Sequence, residues 1–515
     1  MSSSLFRKKT VAGLLEEMAG ENRLRRVLGP VHLTSLGVGA VIGTGIFVLT
    51  GAAAHDKAGP ALMLSFVVAG IACIFAALCY AEFASMVPVA GSAYTYAYAT
   101  LGELFAWIIG WDLILEYAVS AGTVAVGASG YFQDLLGLLG INLPKAISGA
   151  PFDYDPSMGG FSSTGSLIDL PAVVITGIVT VILVVGIKQS ASFNTAMVIL
   201  KVAIVLFVIG VGVFYINPAN WKPFAPFGLT GISFFGKTAA GQHDAGGQPL
   251  GMLAGSAIIF FSYIGFDSVS THSEEARRPQ RDVPLAIITS LVICTVLYIV
   301  VSAVLTGMVP YNQLDISAPV SKAFKHVGLG WAQFLISFGA LAGITSVVLV
   351  TMLSQARIFL AMARDGLLPR GFFGAIHERF RTPWKSTILT GVFVAFVTAF
   401  LPLRILAQLV NIGTLMAFVM VCAAVLIMRK TNPEAKRPFR VPMVPLIPIL
   451  GILICLLLMF SLPPENWLRL VVWLVLGFAI YFGYGRRHSL MASANTRVDQ
   501  EPVVPASISI SSRTE

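Results

Sequence analysis

Charged residues are scarce in this sequence of 515 residues. Asp, Glu, Lys and Arg make up 11% of it, against about 25% in an ordinary soluble domain. Hydrophobic residues make up 56%, and the mean hydropathy is +0.82. These values exclude a soluble globular protein and leave a membrane protein as the class to consider.

Several motifs of enzymes and metal sites are also missing. The sequence contains no Walker A motif, no HExxH and no GxSxG, so we expect a protein that is not an enzyme. Its five cysteines fall inside apolar runs without a CxxC spacing, which favours buried packing and predicts no metal site and no cofactor. Residues 7–9 (RKK) are followed by the mixed stretch VAGLLEEMAGENRLRR, which is not the apolar core of a signal peptide.

Long apolar runs recur through the chain instead. Lipid leaves no water for unpaired backbone groups, so runs of this length are helices, and the sequence predicts an all-α polytopic membrane protein. We predict twelve transmembrane helices, at residues 33–55, 60–87, 103–135, 168–187, 192–215, 250–272, 283–307, 329–360, 386–401, 404–428, 442–461 and 467–484. A cytoplasmic segment (1–32) precedes them, and a polar, Ser-rich tail (485–515) that we expect to be disordered follows.

The distribution of Lys and Arg predicts the orientation. If the N-terminus is inside, the cytoplasmic segments carry 25 of the 34 Lys and Arg residues and the external loops carry 7. Both termini are therefore expected in the cytoplasm of a cell (plasma or inner) membrane. The net charge of +9 reflects this bias, so we expect membrane lipids and not nucleic acid as partners.

Glycines interrupt the first predicted span. The stretch LGVGAVIGTGIFVLT (36–50) contains four of them, although glycine costs a helix about 0.5–1 kcal/mol relative to alanine. Inverted repeats of five helices, each beginning with a broken helix, predict a second interruption in the sixth span. There the apolar run FFSYIG is followed by the polar run FDSVST (266–271). The sequence thus predicts a first repeat (33–215), a second repeat (250–428) and two peripheral helices (442–484).

Two broken helices that meet can bind a zwitterion. The restarted half presents free N–H groups to a carboxylate, and the interrupted half presents free carbonyls to an ammonium. Gly43 and Gly45 let backbone approach the ligand, and Thr44 adds a hydroxyl group. The alternative is that these glycines serve close helix packing and that Thr44 and Asp267 only cap the restarted halves.

Four stretches resemble the amino acid–polyamine–organocation superfamily, and its cationic amino acid transporter branch in particular. They are GVGAVIGTGIFVLTG (37–51), CYAEFASMVPVAGSAYTYAYATLGELFAWIIGWDLILEY (79–117), FFSYIGFDSVSTHSEEARRPQRDVP (260–284) and QARIFLAMARDGLLP (355–369). The resemblance implies a core of five plus five inverted helices and transport of amino acids by alternating access, in many members coupled to protons. Mammalian members of the branch have fourteen spans, so twelve favour a bacterial-type homologue.

The resemblance also implies a substrate site. The substrate carboxylate would contact the N–H groups of Gly43, Thr44 and Gly45. The ammonium would contact carbonyls near four residues, of which Phe261 would also close over the substrate as a lid; the four are Val41, Phe261, Ser262 and Ile264.

Lys201 lies too deep in the fifth span to reach water easily. Sodium-coupled relatives bind Na⁺ between the first, fifth and eighth spans, and a fixed ammonium there could replace the ion. Resemblance to proton-coupled members assigns Lys201 to proton coupling, with the proton as coupling ion. The alternative is a structural lysine bonded to carbonyls of the broken first helix.

Four carboxylates complete the candidate residues. Asp112 and Glu116 share one helix face, so at least one should be protonated or paired. The family position of Glu116 implies that it lines the pocket, with packing or a proton network as equal alternatives. Asp267 either faces the pocket or caps its half-helix, and Glu82 is expected in an inner gate.

The function predicted from the sequence is therefore secondary transport of α-amino acids with proton symport. An amino acid exchanger and a non-transporting amino acid sensor on the same fold are the alternatives. A channel is disfavoured, because the few intramembrane charges cannot line a continuous polar pore.

Overall fold

A computed structural model describes residues 7–9, 28–86, 92–155, 158–186, 191–234 and 237–491, and most of these residues are helical. We number the helical segments after the twelve predicted spans. The first five are Pro30–Val41 continued by Gly45–Leu49, Thr50–Ala53 and Ala54–Ala58 (span 1), Leu62–Met86 (span 2), Glu103–Leu138 (span 3), Leu170–Val185 (span 4) and Ala191–Gly212 (span 5). The next five are Met252–Ile259 with Phe260–Tyr263 and Ser268–Thr271 (span 6), Pro279–Met308 (span 7), Gly330–Arg364 (span 8), Trp384–Phe400 (span 9) and Leu403–Thr431 (span 10). Leu446–Phe460 (span 11) and Pro464–Ile480, continued by Tyr481–Gly485 and Arg486–His488 (span 12), follow. Short helices connect them at Ser92–Thr100, Pro319–His326 and Arg370–Phe373.

The segments between spans define two faces of the molecule. One carries three antiparallel β-hairpins, formed by Phe152–Asp155 with Gly160–Ser163, Ile232–Phe234 with Lys237–Ala240, and Gln242–His243 with Pro249–Leu250. We call it the hairpin face; it comprises residues 139–155, 158–169, 213–234, 237–251 and 309–329. The opposite face, the terminal face, holds both described chain ends, where Lys9 pairs with Asp365 at 2.7 Å and Ser489 donates to Glu103 at 2.5 Å.

The helical membrane architecture predicted from the sequence is confirmed. Among the described residues, eight helices are long and apolar enough to cross a membrane. Four shorter apolar helices add to them: Pro30–Val41, Leu170–Val185, Trp384–Phe400 and Leu446–Phe460. The exact number of twelve spans and the boundaries of the repeats stay predictions. The predicted disordered tail lies, from residue 492 onward, outside the described residues, as does most of the predicted N-terminal segment.

Three helices pack along the helix five positions later in the chain. Span 2 packs along span 7, span 3 along span 8, and span 4 along span 9. Spans 1 and 6 also meet, at their interruptions.

Both predicted interruptions are present. Span 1 stops at Val41, because Ile42 adopts an extended conformation (φ −71°, ψ 103°) and the chain winds again only from Thr44. Span 6 stops at Tyr263, where Ile264 is extended and Gly265 has a φ of +117°. A side chain is strained at that φ, and a Cβ on Gly265 would lie 2.9 Å from the carbonyl oxygen of Ala40. Glycine at 265 therefore allows the two interruptions to touch.

Span 12 is fastened to span 3 by tryptophans. The indole of Trp111 donates to the carbonyl of Trp473 at 2.8 Å, and Trp473 donates back to the carbonyl of Trp111 at 3.0 Å. Their rings stack with centroids 4.5 Å apart. Both polar indole groups are thus satisfied inside an apolar contact, which fixes a peripheral helix to the core.

Candidate functional site

A small cavity lies where the two interruptions meet. Its volume is about 30 Å³, enough for about two water molecules. Spans 1, 3, 6 and 8 line it with Ala40, Val41, Gly43, Thr44, Gly45, Tyr117, Ser120, Val124, Phe261, Ile264, Gly265, Ser268, Val347, Val350, Thr351 and Ser354. None of these side chains is charged, so the cavity offers apolar surface, hydroxyl groups and exposed backbone.

Span 1 contributes both kinds of helix end expected at a break: N–H groups with partial positive charge and carbonyls with partial negative charge. The N–H groups at the start of its second half have no acceptor within that half. Before the break, the carbonyl of Gly39 accepts from Lys201 Nζ at 2.6 Å, and that of Val41 accepts from the Tyr298 hydroxyl at 2.8 Å. Side chains from spans 5 and 7 therefore hold the carbonyl end of this half-helix.

Thr44 faces span 3. Its hydroxyl donates to the carbonyl of Val124 at 3.3 Å. Gly127 provides the room, since a Cβ there would lie 2.5 Å from the Thr44 methyl carbon. The Thr44 side chain thus positions the restarted half of span 1 against span 3.

Span 6 contributes the facing wall. Phe261, Ile264 and Gly265 line the cavity, whereas Ser262 and Asp267 do not. The Asp267 carboxylate accepts from the Tyr117 hydroxyl at 2.7 Å. Tyr117 itself lines the cavity. Asp267 therefore contacts a residue of the cavity wall and not the cavity itself.

Asp112 and Glu116 are buried on span 3 but do not line the cavity. Span 10 packs directly on Asp112, because a Cβ on Gly413 would lie 2.7 Å from its Oδ1. Neither acid forms an ion pair within the described parts of the chain. A direct contact of Glu116 with substrate stays a prediction.

Lys201 lies among spans 1, 5 and 8. It is buried (2% exposed), and its ammonium donates to the carbonyl of Gly39. Its aliphatic stem packs on span 8 at Gly343, where a Cβ would lie 2.9 Å from the lysine Cγ. The lysine therefore occupies the position expected between these three spans.

Glu82 is the centre of an ion-pair network at the terminal face. Arg429 donates to its two oxygens at 2.9 and 2.7 Å, and the backbone N–H of Val441 donates at 2.7 Å. Arg437 Nε lies 3.3 Å from Oε1 but is not aligned for a hydrogen bond. The network joins span 2 to span 10 and its following loop, while the gating role of Glu82 stays a prediction.

A second charged cluster lies at the hairpin face. Asp56, at the end of span 1, pairs with Arg404 at the start of span 10, and Lys57 lies 3.7 Å from Asp244. The sequence did not point directly to this cluster. Its signal was the triplet HDK (55–57), three consecutive ionisable residues between two apolar runs.

A vestibule of about 970 Å³ opens at the same face. Val48 and Val126 contribute to its lining, and each lies two or three residues along its helix from a residue of the central cavity. Asp315 at its rim pairs with Lys322 at 2.7 Å. Burial is the largest single influence on Asp315 and raises its pKa, but the hydrogen bonds from Lys322, Ser317 and the Ala318 N–H, together with the charge of Lys322, hold the pKa of this carboxyl below its usual value. The vestibule therefore reaches within about one helical turn of residues that line the central cavity.

The sequence is similar to known transporters. A family model described as amino acid permease matches residues 28–481. Two proteins of Bacillus subtilis (strain 168) are each 47% identical to this chain: a methylthioribose transporter over 489 residues and the branched-chain amino acid permease BcaP over 490 residues. Each alignment covers 95% of this chain and 99% of the relative. The vacuolar cationic amino acid transporter 4 of Arabidopsis thaliana is 39% identical over 439 residues, which cover 84% of this chain and 68% of the relative.

Proposed function

This chain belongs to the amino acid permease family and transports amino acids, and we propose that it imports neutral, apolar α-amino acids together with protons. The observation that carries the substrate class is the central cavity, which joins N–H and carbonyl ends of two broken helices and is lined by no charged side chain. Those backbone ends suit a carboxylate and an ammonium. A charged substrate side chain would lack a partner and lose its hydration.

The substrate carboxylate rests on the N–H groups of Gly43, Thr44 and Gly45 in this proposal. The ammonium contacts carbonyls of the interrupted halves, at Val41, Phe261, Ser262 and Ile264. The carbonyls of Val41 and Phe261 already accept one hydrogen bond each, and a second lone pair remains for the substrate. The present cavity is too small for an amino acid, so its walls move apart on binding.

Phe261 is the proposed lid. Its ring is 5% exposed and lines the cavity, so closure buries an apolar substrate side chain against a flat surface. We expect Phe261→Ala to lower the transport rate about tenfold or more, and Phe261→Trp to retain most of it. The measurement is the initial rate of labelled amino acid uptake into proteoliposomes; a wild-type rate in the alanine variant would remove the lid from the mechanism.

Lys201 is the proposed coupling residue. When charged, it holds the first half of span 1 through a charge-assisted hydrogen bond to Gly39. Loss of the proton weakens that bond and releases the half-helix for the opposite end state. The proton is the only coupling ion in this scheme.

The proposed orientation places the hairpin face outside a plasma or inner membrane and the terminal face in the cytoplasm. It rests on the excess of Lys and Arg in the segments of the terminal face. The vestibule at the hairpin face is then the entrance from outside.

A competition screen tests this function. The twenty amino acids and methylthioribose compete with labelled L-leucine for uptake into proteoliposomes, at two pH values. We expect branched-chain amino acids to compete best and lysine and arginine to compete weakly. Strong competition by arginine would overturn the neutral substrate class, and binding without accumulation would favour a sensor.

Methylthioribose transport is the second candidate, because a transporter of that name is as similar to this chain as the branched-chain permease. Methylthioribose has neither a carboxylate nor an ammonium. If it competes better than every amino acid, the backbone ends do not select a zwitterion.

A further inference from the structure

Asn411, on span 10, binds the interrupted helix of span 6. Its Nδ2 donates to the carbonyl of Ala257 at 2.8 Å and to that of Ile258 at 2.9 Å. The side chain is completely buried. Both acceptors lie in the last α-helical turn before the break.

These two carbonyls lie where span 6 changes its winding. After Ile259 the chain tightens into a 3₁₀ turn at Phe260–Tyr263. The carbonyl of Ile258 accepts from the N–H of Phe260, and a carbonyl oxygen has a second lone pair for a side-chain donor. Asn411 supplies two N–H donors from a neighbouring helix, and the turn that it supports carries the lid residue Phe261.

The amide of Asn411 is required for its hydrogen-bond donors and not only for its volume. Its Oδ1 has no hydrogen-bond partner in the described structure, and a buried orphan acceptor is unfavourable. An apolar residue of equal volume would avoid that penalty. Only an NH₂ group serves both carbonyls, since an ionised aspartate of the same shape has no donor.

Asn411 also has a counterpart in the first repeat. Lys201 on span 5 donates to a carbonyl of span 1 just before its break, and Asn411 on span 10 donates to carbonyls of span 6 just before its break. Spans 5 and 10 occupy the same place in the two repeats. One donor can lose a proton, and the other cannot.

We propose that Asn411 is a positioning residue that holds the span 6 half of the substrate site in one geometry and confines proton-dependent change to span 1. It keeps Phe261 and Ile264 in register with the N–H groups of span 1 in every protonation state of Lys201. Its contribution to affinity stands on the geometry alone, while its contribution to the pH response rests on the proposed function of Lys201.

The test replaces the amide by an apolar side chain with the same branching and the same number of heavy atoms. Asn411→Leu removes both donors and leaves no cavity. We expect the KM for labelled L-leucine to rise about tenfold or more with Vmax changed less than about threefold, and the dependence of uptake on pH to keep its wild-type shape. Asn411→Ser, with one donor, is expected to fall between Leu and wild type.

Asn466 provides the matched control. It is as buried as Asn411 but lies on span 12, where its Nδ2 donates to Gln408 of span 10 at 3.5 Å and its Oδ1 accepts from Arg469 at 3.0 Å. We expect Asn466→Leu to keep the wild-type KM. An unchanged KM in Asn411→Leu, or an equal rise in both variants, would overturn the positioning role.

The effect of Asn411 on affinity and its effect on the pH response can each be tested apart from the proposed proton coupling. If wild-type protein shows no proton-driven uptake, the KM comparison is made by substrate exchange and still decides whether Asn411 positions the site. If wild type is proton-driven but Asn411→Leu shifts the pH profile, Asn411 is part of the titrating unit and the fixed half-site is wrong. Thermal unfolding of each variant in detergent excludes misfolded material; if Asn411→Leu does not fold, Asn411→Ser decides by the same KM comparison.

Discussion

Proteoliposomes containing the Lys201→Ala variant are expected to show no uphill accumulation of amino acid when the outside is acid. With one proton per substrate and a gradient of one pH unit, wild-type protein can reach about tenfold accumulation, because one pH unit equals about 1.36 kcal/mol. The variant should equilibrate substrate to a ratio of about one. The measurement is labelled uptake with and without the imposed gradient.

The expected loss follows from the single hydrogen bond described for the lysine ammonium, which runs to Gly39 of the broken helix. Alanine can neither carry a proton nor hold that carbonyl. The proposed substrate contacts lie on other residues, so binding or exchange should survive at reduced rate. Survival of exchange distinguishes loss of coupling from loss of fold.

Two further substitutions sharpen the result. Arginine keeps the charge but does not release its proton, so Lys201→Arg should also fail to concentrate substrate. Lys201→Met keeps the aliphatic stem that packs on Gly343, so it should fold as wild type and still not accumulate. Accumulation at wild-type strength by any of the three would exclude Lys201 and make Asp112 or Glu116 the next proton carrier to test.

The features that the sequence predicted best are the two helix interruptions, where residues unfavourable in a transmembrane helix occur inside an apolar span. Glycine inside an apolar span is unfavourable unless the helix is meant to stop, and both interruptions lie where the glycines and the polar run FDSVST indicated. Membership of the permease family and a transport function, not an enzymatic one, are also confirmed. The chemistry at the breaks, including substrate contacts and the coupling ion, stays a prediction.

Two residues that the sequence did not point to, Tyr298 and Asn411, form hydrogen bonds to distant parts of the chain. Tyr298 holds the carbonyl of Val41, and Asn411 holds carbonyls of span 6. Each is an isolated polar residue in an apolar helix, and its hydrogen-bond partner lies more than 150 residues away in the chain. No local periodicity identifies such partners, because they depend on how the helices pack. The only signal was that a buried polar group must be satisfied.

The two glycines of the GTG motif also differ in a way that the sequence could not show. A Cβ on Gly43 would lie 3.2 Å from Val347 Cγ2, at the end of a side chain that can shift. A Cβ on Gly45 would overlap the Cα of Ser262, which is backbone of the other broken helix. Gly45 is therefore the glycine that sets how closely spans 1 and 6 approach.

Gly45→Ala is expected to abolish substrate binding and to destabilise the protein by about 1–3 kcal/mol, the usual cost of overpacking a close contact. Its added methyl group must push the two half-helices apart, which separates the N–H groups of span 1 from the carbonyls of span 6. Gly43→Ala should keep near-wild-type stability, because the Val347 side chain can move, while its affinity falls less than that of Gly45→Ala. Thermal unfolding in detergent measures both quantities, because the melting temperature without substrate reports stability and its rise with substrate depends on the ratio of substrate concentration to Kd.

Gly210 on span 5 is the matched control, since a Cβ there meets no atom within 4 Å. Gly210→Ala should bind substrate as wild type does, with a melting temperature equal or slightly higher because alanine favours a helix. If Gly45→Ala binds with wild-type affinity, the close approach of the two breaks is not required for the site. If Gly43→Ala loses more affinity than Gly45→Ala, access of the carboxylate at Gly43, and not the spacing of spans 1 and 6, limits binding.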